Sequence, residues 1–314
     1  MTQIIQIKYQ EYPEYMFAML AAYIPSEEGY DLRRVAGKVV FRHEDENGNT
    51  YKNGVLHSYN DLPAIIQGDM QAWYKNGERH RDNDRPAVIS VNNQEWWKDG
   101  LRHRDNDLPA VIGEDTQSWY KNGVRHREGD LPAFIDGDRQ EWWKDGIYYR
   151  DHDRPAVIDR HIQQWWKDGK YHRDNDRPAY IDMNYHAWYN NGKRHREGDR
   201  PAVINDDLQE WWFNGKRHRE GDLPAIIDLQ LQEWYKNGVI HRDHDQPAII
   251  NGRYEAWYKN GERHRDGDRP AVIDVDRQVW FKNGKFHRDH DRPAVINGMM
   301  QVWYINGKFI KTEE

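Results

Sequence analysis

The chain has 314 residues, contains no cysteine, and carries a formal net charge of −7 although 32% of its residues are charged. The lack of cysteine excludes disulfides, zinc–thiolate sites and a cysteine nucleophile. Both charge signs are mixed throughout, which gives no support for a nucleic-acid partner. The longest apolar stretch, YMFAMLAAYI, is about half of a membrane span, and the N-terminus lacks the pattern of a signal peptide. We therefore expect an intracellular protein without a transmembrane segment.

Residues 1–49 lie before the repeats and are predicted to form an N-terminal cap with one short helix. The segment PEYMFAMLAAYIP has Pro13 as a helix start signal and Pro25 as a stop signal. Met16 and Tyr23 fall on one face at helical spacing. The helix either covers the exposed edge of the first hairpin or docks onto a partner, and we favour the cap.

From residue 50 the sequence repeats every 23 residues, as in the line WYKNGERHRDNDRPAVI. Turn glycines, prolines and tryptophans keep this step without insertion or deletion, and Thr50 stands where the first Trp would be. A strict period means that every unit contacts its neighbours in the same way. Residues 50–314 are thus predicted to form an all-β, elongated array of about eleven hairpin units, a β-meander or solenoid, closed by a short charged C-terminal tail.

Each unit is predicted to contain a tight hairpin, because Asn-Gly or Asp-Gly between β-prone runs supplies the two positive φ angles of a type I′ turn. A two-residue loop places Tyr74 opposite Arg79 and Ala72 opposite Arg81. The PAVI segment adds another short strand, which gives about three extended segments per unit. In other repeats the Ala72–Arg81 positions predict ion pairs, namely Glu95–Arg104, Glu141–Arg150, Glu210–Arg219 and Glu233–Arg242.

The two faces of the hairpin differ in how much they vary between repeats. The face with Trp73 and His80 hardly changes and is predicted to be the stacked interior. The other face varies and is predicted to point outward, with arginines lying on aromatic rings. Because Trp, Tyr and Arg dominate protein interfaces, we expect this aromatic–arginine stripe to bind a partner. The stripe consists of Tyr74, Trp97, Tyr120, Trp143, Trp166 and Tyr189 with Arg79, Arg102, Arg125, Arg194, Arg217 and Arg263.

The W-Y-K-N-G-x-x-H-R core at this spacing resembles MORN-type β-hairpin repeats. It is also similar to repeat proteins of large DNA viruses of amoebae, which carry W-Y-K-N-G-K-x-H-R-x-G-D-x-P-A. The resemblance covers about residues 50–309. It implies an elongated, non-enzymatic β-repeat protein used for binding or assembly, located in the host cytoplasm or in the virion if the source is viral.

Two repeated constellations could bind metal ions. Ten histidines from His57 to His287 form a column, but no second ligand type converges on them as zinc requires. We expect neutral histidines packed beside Trp and bonded to backbone or to an Asp. The turns with Asp82 and Asp84 could hold Ca²⁺, which takes six to eight oxygens. Arg81 already supplies a counter-charge there, so we expect Asp to cap its own turn. No metal or cofactor is predicted.

No Ser-His-Asp set, phosphate-binding glycine loop or HExxH motif stands out from the repeat. The chain is therefore predicted not to be an enzyme. We expect a scaffold for protein–protein interaction or structural assembly, including that of a large DNA virus if the source is viral. The alternative is a module that binds carbohydrate or another ligand on the rings of the stripe. The sequence identifies neither the partner nor the oligomeric state.

Overall fold

The computed structural model describes residues 4–8, 40–45 and 47–314, and all regular secondary structure in these residues is β-strand. The predicted all-β hairpin meander is confirmed. The helix predicted between Pro13 and Pro25 lies outside the described residues. The chain divides into two compact units, Met1–Ile147 and Tyr148–Glu314.

Each complete repeat contains two hairpins built from four short strands. In one repeat, Val88–Ser90 pairs with Asn93–Glu95 in an inner hairpin, and Trp97–Lys98 pairs with Leu101–Arg102 in an outer hairpin. The sequence predicted about three extended segments. The residues before each Trp form a fourth strand because they have backbone partners on both sides. Asn93–Glu95 also pairs with Val111–Ile112 of the next repeat.

The strands of unit 1 follow this plan after a short N-terminal sheet. That sheet consists of Ile4–Lys8, Val40–Glu44, Thr50–Lys52 and Val55–Leu56. The inner hairpins are Ile65–Gln67 with Met70–Ala72, Val88–Ser90 with Asn93–Glu95, Val111–Ile112 with Thr116–Ser118, and Phe134–Asp136 with Arg139–Glu141. The outer hairpins are Tyr74–Lys75 with Glu78–Arg79, Trp97–Lys98 with Leu101–Arg102, and Tyr120–Lys121 with Val124–Arg125. Next in the sequence come the short strands Trp143–Lys144 and Ile147–Tyr148.

The strands of unit 2 repeat the same plan and end in a longer hairpin. The inner hairpins are Val157–Asp159 with Ile162–Gln164, Tyr180–Asp182 with Tyr185–Ala187, Val203–Asn205 with Leu208–Glu210, Ile226–Asp228 with Leu231–Glu233, Ile249–Asn251 with Tyr254–Ala256, and Val272–Asp274 with Arg277–Val279. The outer hairpins are Trp166–Lys167 with Lys170–Tyr171, Tyr189–Asn190 with Lys193–Arg194, Trp212–Phe213 with Lys216–Arg217, Tyr235–Lys236 with Val239–Ile240, Tyr258–Lys259 with Glu262–Arg263, and Phe281–Lys282 with Lys285–Phe286. The last strands are Val295–Asn297, Met300–Ile305 and Lys308–Glu313.

Within each unit the inner hairpins join into an antiparallel meander sheet. Gln71, for example, pairs with Ile66 of its own hairpin and with Ile89 of the next repeat. Strands in a sheet lie about 4.8 Å apart, so each repeat lengthens its sheet by roughly 9–10 Å. The middle residues of successive strands alternate between Ile and mostly Gln, and they form one face of the sheet. Residues on either side of them face the outer hairpins.

The outer hairpins close with the predicted type I′ turns and stack on one another. Asn76 and Gly77 have φ angles of 52° and 90°. The amide of Gly100 donates to the carbonyl of Arg79 in the preceding repeat, at 3.0 Å. A Cβ added at Gly123 would lie only 3.1 Å from Cδ2 of Leu101. The turn glycine is therefore set both by its backbone angles and by this close contact between repeats.

Tryptophan and alanine form the interior of the stack. Trp188 is 7% exposed and Ala202 is fully buried. The amide of Trp188 donates to the carbonyl of Ala202 at 2.8 Å, and its indole N–H donates to the carbonyl of Asp176 at 3.1 Å. The predicted interior position of the Trp column is confirmed. A single hairpin is marginal in water, so the contacts between repeats supply the stability.

Both ends of the repeat region are covered by additional strands. Ile4–Lys8 runs parallel to Val40–Glu44, which pairs with Thr50–Lys52. Thr50 takes the backbone place of the missing Trp, since its amide donates to Ala64 at 2.9 Å. At the other end, the charged tail forms the strand Lys308–Glu313 on the preceding strand.

Candidate binding surface

All twelve residues of the aromatic–arginine stripe lie on or beside the outer hairpins, and all are partly buried. The predicted pairing across the turn is confirmed for Tyr74 with Arg79 and for Tyr189 with Arg194. The side chains are thus exposed on one side and packed against the rest of the protein on the other. Within each unit they form an ordered surface.

In unit 1 the arginines of the stripe lie between aromatic rings of adjacent repeats. The guanidinium of Arg102 is 5.0 Å from the ring of Trp97 and 5.6 Å from the ring of Tyr120. Arg79 lies 5.0 Å from the same Trp97 ring. In unit 2 Arg217 repeats this arrangement. Each such contact stabilises by about 0.5–1 kcal/mol at an exposed site.

Glutamates beneath the stripe bind its tryptophans and arginines. The indole N–H of Trp97 donates to Glu95 at 2.8 Å, and Arg102 lies 3.3 Å from the same carboxylate. In unit 2, Glu210 receives Trp212 and Arg217, each at 2.8 Å. The glutamates offset the positive charge of Arg102 and Arg217 in the stripe.

The ion pairs predicted for Glu95–Arg104, Glu210–Arg219 and Glu233–Arg242 are wrong. The chain passes from the inner to the outer hairpin at the Trp, so the residue before it lies in the inner sheet and not opposite the Arg. The three arginines bind Asp84, Asp199 and Asp222 instead, each in the preceding repeat.

The arginine that directly follows the column histidine binds neighbouring repeats to each other. In Arg196, Nε and Nη2 donate to the two carboxylate oxygens of Asp176 at 2.9 and 3.0 Å. Its Nη1 donates to the carbonyl of Pro201 at 3.0 Å, and its guanidinium lies 3.7 Å from the ring of Trp188. The hydrogen bonds from Arg196 hold the pKa of Asp176 below its usual value. A planar, bidentate group is needed here, which explains why Arg recurs.

The histidine column also has a structural position. His195 is 7% exposed. The backbone amide of Asn214, which can only donate, lies 3.1 Å from Nδ1 of His195. The proton is therefore on Nε2, which donates to Glu197 at 2.8 Å. The expected bonds of this histidine to backbone and carboxylate are confirmed. Burial lowers the pKa of His57, at the start of the column.

The prediction that Asp82 and Asp84 cap their own turn is wrong, because their carboxylates bond to other side chains of the fold. Asp82 bonds to Nε2 of His80 at 2.9 Å, and this bond lowers the pKa of its carboxyl. Asp84 bonds to Arg104. In the part of the chain that the structure describes, no three His, Asp or Glu side chains come together in a way that could hold a metal ion.

Three tyrosines that the sequence did not predict as site residues depart from the residue type of a neighbouring repeat in unit 2. Tyr171 stands where the next repeat has Arg194, and burial raises its pKa to about 12. Tyr180 and Tyr185 replace aliphatic residues of the neighbouring repeats. Their departure from an otherwise regular pattern is a signal that the sequence already contained.

Comparisons with known proteins give no match: no protein-family model matches the chain, and no curated protein is similar to it. Among the residues that the structure describes, no helix is long and apolar enough to cross a membrane.

Proposed function

We propose that this chain is a non-enzymatic repeat scaffold with MORN-like β-hairpin repeats, and that it binds a partner protein along the aromatic–arginine stripe. One observation carries the proposal: an aromatic side chain recurs at the same position of successive outer hairpins, and in many repeats an arginine lies opposite it. The twelve side chains of the stripe are partly exposed on outer hairpins that are hydrogen-bonded to their neighbours. Such residues dominate protein interface hot spots. Because they are already ordered, they lose little conformational entropy on binding.

The charge of the stripe favours a protein over a nucleic acid. Arg102 and Arg217 each bind a glutamate, and the net charge of the chain is −7. Nucleic-acid binding depends on an excess of positive charge. A partner with mixed polar and apolar surface suits paired arginines and exposed ring edges better. We also propose an intracellular location, in the host cytoplasm or the virion if the source is viral.

The repeated ionisable groups support a non-enzymatic role. The same bonds recur in successive repeats for the histidines, the aspartates and the arginines that follow the histidines. His195 with Glu197 and His218 with Glu220 illustrate this. An active site would require a set of such groups that differs from its copies and faces a cleft. We therefore assign these groups to the stability of the stack.

Affinity capture from the native source, read by mass spectrometry, tests the proposal. The test variant carries Trp143→Ser, Trp166→Ser and Arg194→Ser. The matched control carries Gln163→Ser, Gln209→Ser and Gln232→Ser, on the opposite face of the inner sheet. We expect the test variant to lose a partner that the wild type and control retain, with far-UV circular dichroism unchanged. Full capture by the test variant would remove the stripe from the binding surface.

A further inference from the structure

An open cavity of about 640 Å³ lies in unit 2 where the repeat pattern breaks. Tyr171, Tyr180, Tyr185 and Tyr189 line it. Its volume is within the range of about 300–1,000 Å³ that is usual for small-molecule sites. Two of the tyrosines belong to outer hairpins and two to an inner hairpin, so both layers of the repeat contribute.

The four rings are held in fixed mutual orientations. Tyr171 and Tyr189 stack with ring centres 5.0 Å apart and planes 29° apart. Tyr180 and Tyr185 meet edge to face at 5.6 Å. Behind them, Trp166 packs on Tyr171 at 4.0 Å. The cavity therefore has ordered aromatic surface on its walls, without any ring having to move.

The fold itself does not require these tyrosines. In the next repeat, Val203 occupies the position of Tyr180 and Leu208 the position of Tyr185, with the same strand pairing. Smaller aliphatic side chains thus satisfy the backbone and the packing of the hairpin. The tyrosines add ring surface and hydroxyl groups at one place in the array, which indicates a role other than stability.

The polar groups of the cavity carry charges of both signs. Nη2 of Arg194 donates to the hydroxyl of Tyr185 at 3.0 Å, and its Nε donates to the hydroxyl of Tyr189 at 3.3 Å. Asp182 and Asp206 also line the cavity. A fixed guanidinium disfavours a cationic ligand, and two carboxylates disfavour an anionic one. These donors and acceptors of the cavity therefore suit a neutral ligand with several hydroxyl groups.

We propose that this tyrosine cavity binds a neutral carbohydrate. A pyranose ring has an apolar face of C–H groups that packs on an aromatic ring, and hydroxyl groups at its edge that pair with carboxylates, amides and a guanidinium. The cavity offers both kinds of surface at once. This site overlaps the stripe at Tyr189 and Arg194 and adds Tyr171, Tyr180 and Tyr185, which are not stripe residues.

A matched pair of variants of the full chain tests the site. Tyr185→Leu removes a cavity ring and restores the residue type of the next repeat. Tyr254→Leu makes the same change at the same repeat position, three repeats later and outside the cavity. The probes are an array of neutral and acidic glycans, followed by calorimetric titration with the best neutral oligosaccharide. We expect Tyr185→Leu to bind at least about tenfold more weakly than wild type, and Tyr254→Leu to bind as wild type does.

Several outcomes would overturn the proposal. No binding of any neutral glycan at millimolar concentration would do so, as would equal binding by wild type and Tyr185→Leu. Tighter binding of sulfated glycans would assign the cavity to another ligand class. Melting curves of both variants show whether they fold. If Tyr185→Leu is unfolded, Tyr180→Val replaces it and the same comparison decides. Partner capture that survives in Tyr185→Leu separates this site from the stripe.

Discussion

Replacing Trp188 with Ala should remove one of the largest single contributions to the stack in unit 2. Trp188 is 7% exposed. A buried Trp removes up to about 250 Å² from water, which corresponds to ~6 kcal/mol as an upper bound. Measured Trp→Ala changes in protein interiors cost about 3–5 kcal/mol. The indole N–H bond to Asp176 accounts for about 1 kcal/mol of this. We therefore expect the free energy of unfolding to fall by ~3–5 kcal/mol.

Urea unfolding followed by far-UV circular dichroism measures this loss, and hydrogen exchange shows whether it is centred on the mutated repeat. Trp188→Phe retains a ring but removes the indole donor, so its loss should be smaller than that of Trp188→Ala. Tyr189→Ala, next in sequence but partly exposed, should cost only about 1–2 kcal/mol. Equal losses for Trp188→Ala and Tyr189→Ala would refute the assignment of Trp to the interior and Tyr to the stripe.

Three further predictions concern the contacts between repeats. The melting temperature should be constant above pH ~7 and fall in acid. The folded pKa values of His57 and of the aspartates that accept from histidine are lowered. As the pH falls, the unfolded chain therefore binds protons before the folded chain does, near pH 6.5 for His and near 4 for Asp. A melting temperature that stays constant from pH 7.5 to 3 would contradict this. Gly123→Ala should lower the free energy of unfolding by more than the ~1–2 kcal/mol of left-handed strain, because its Cβ would also press on Leu101. Gly129→Ala, where an added Cβ meets no atom within 4 Å, should show the strain alone. Equal urea midpoints for the two variants would contradict the close contact with Leu101. Arg196→Lys should cost about 1–2 kcal/mol because Lys cannot bind Asp176 through two parallel bonds, and Arg200→Lys, at a more exposed side chain, should cost less in the same urea assay.

Local patterns in the sequence predicted those parts of the fold that depend on neighbouring residues. Asn76 and Gly77 dictate their turn, and that turn fixes the register of Tyr74 with Arg79. The Trp column could be assigned to the interior because its residue type is unchanged from Trp73 to Trp303. Its place in the stack is confirmed, and Thr50 occupies the same backbone position without the ring.

The errors arose where the partner lies in another repeat. Glu95 was expected to pair with Arg104, but the strand of Glu95 belongs to the inner sheet, whose pairing extends to the next repeat. Periodicity alone cannot distinguish a contact within a unit from the same contact one unit away. The tyrosine cavity could not be predicted from the period for a different reason: Tyr180 and Tyr185 replace aliphatic residues of the neighbouring repeats.

Site-specific photo-crosslinking tests the proposed partner surface most directly. p-Benzoylphenylalanine is placed at Tyr120 in the stripe, or at Gln117, which is exposed on the Ile–Gln face of the inner sheet. Both proteins are irradiated in extract from the native source and the adducts are identified by mass spectrometry. A partner adduct from position 120 and none from position 117 is the result that the proposal predicts. The same adduct from position 117, or adducts from neither position while capture persists, would contradict it.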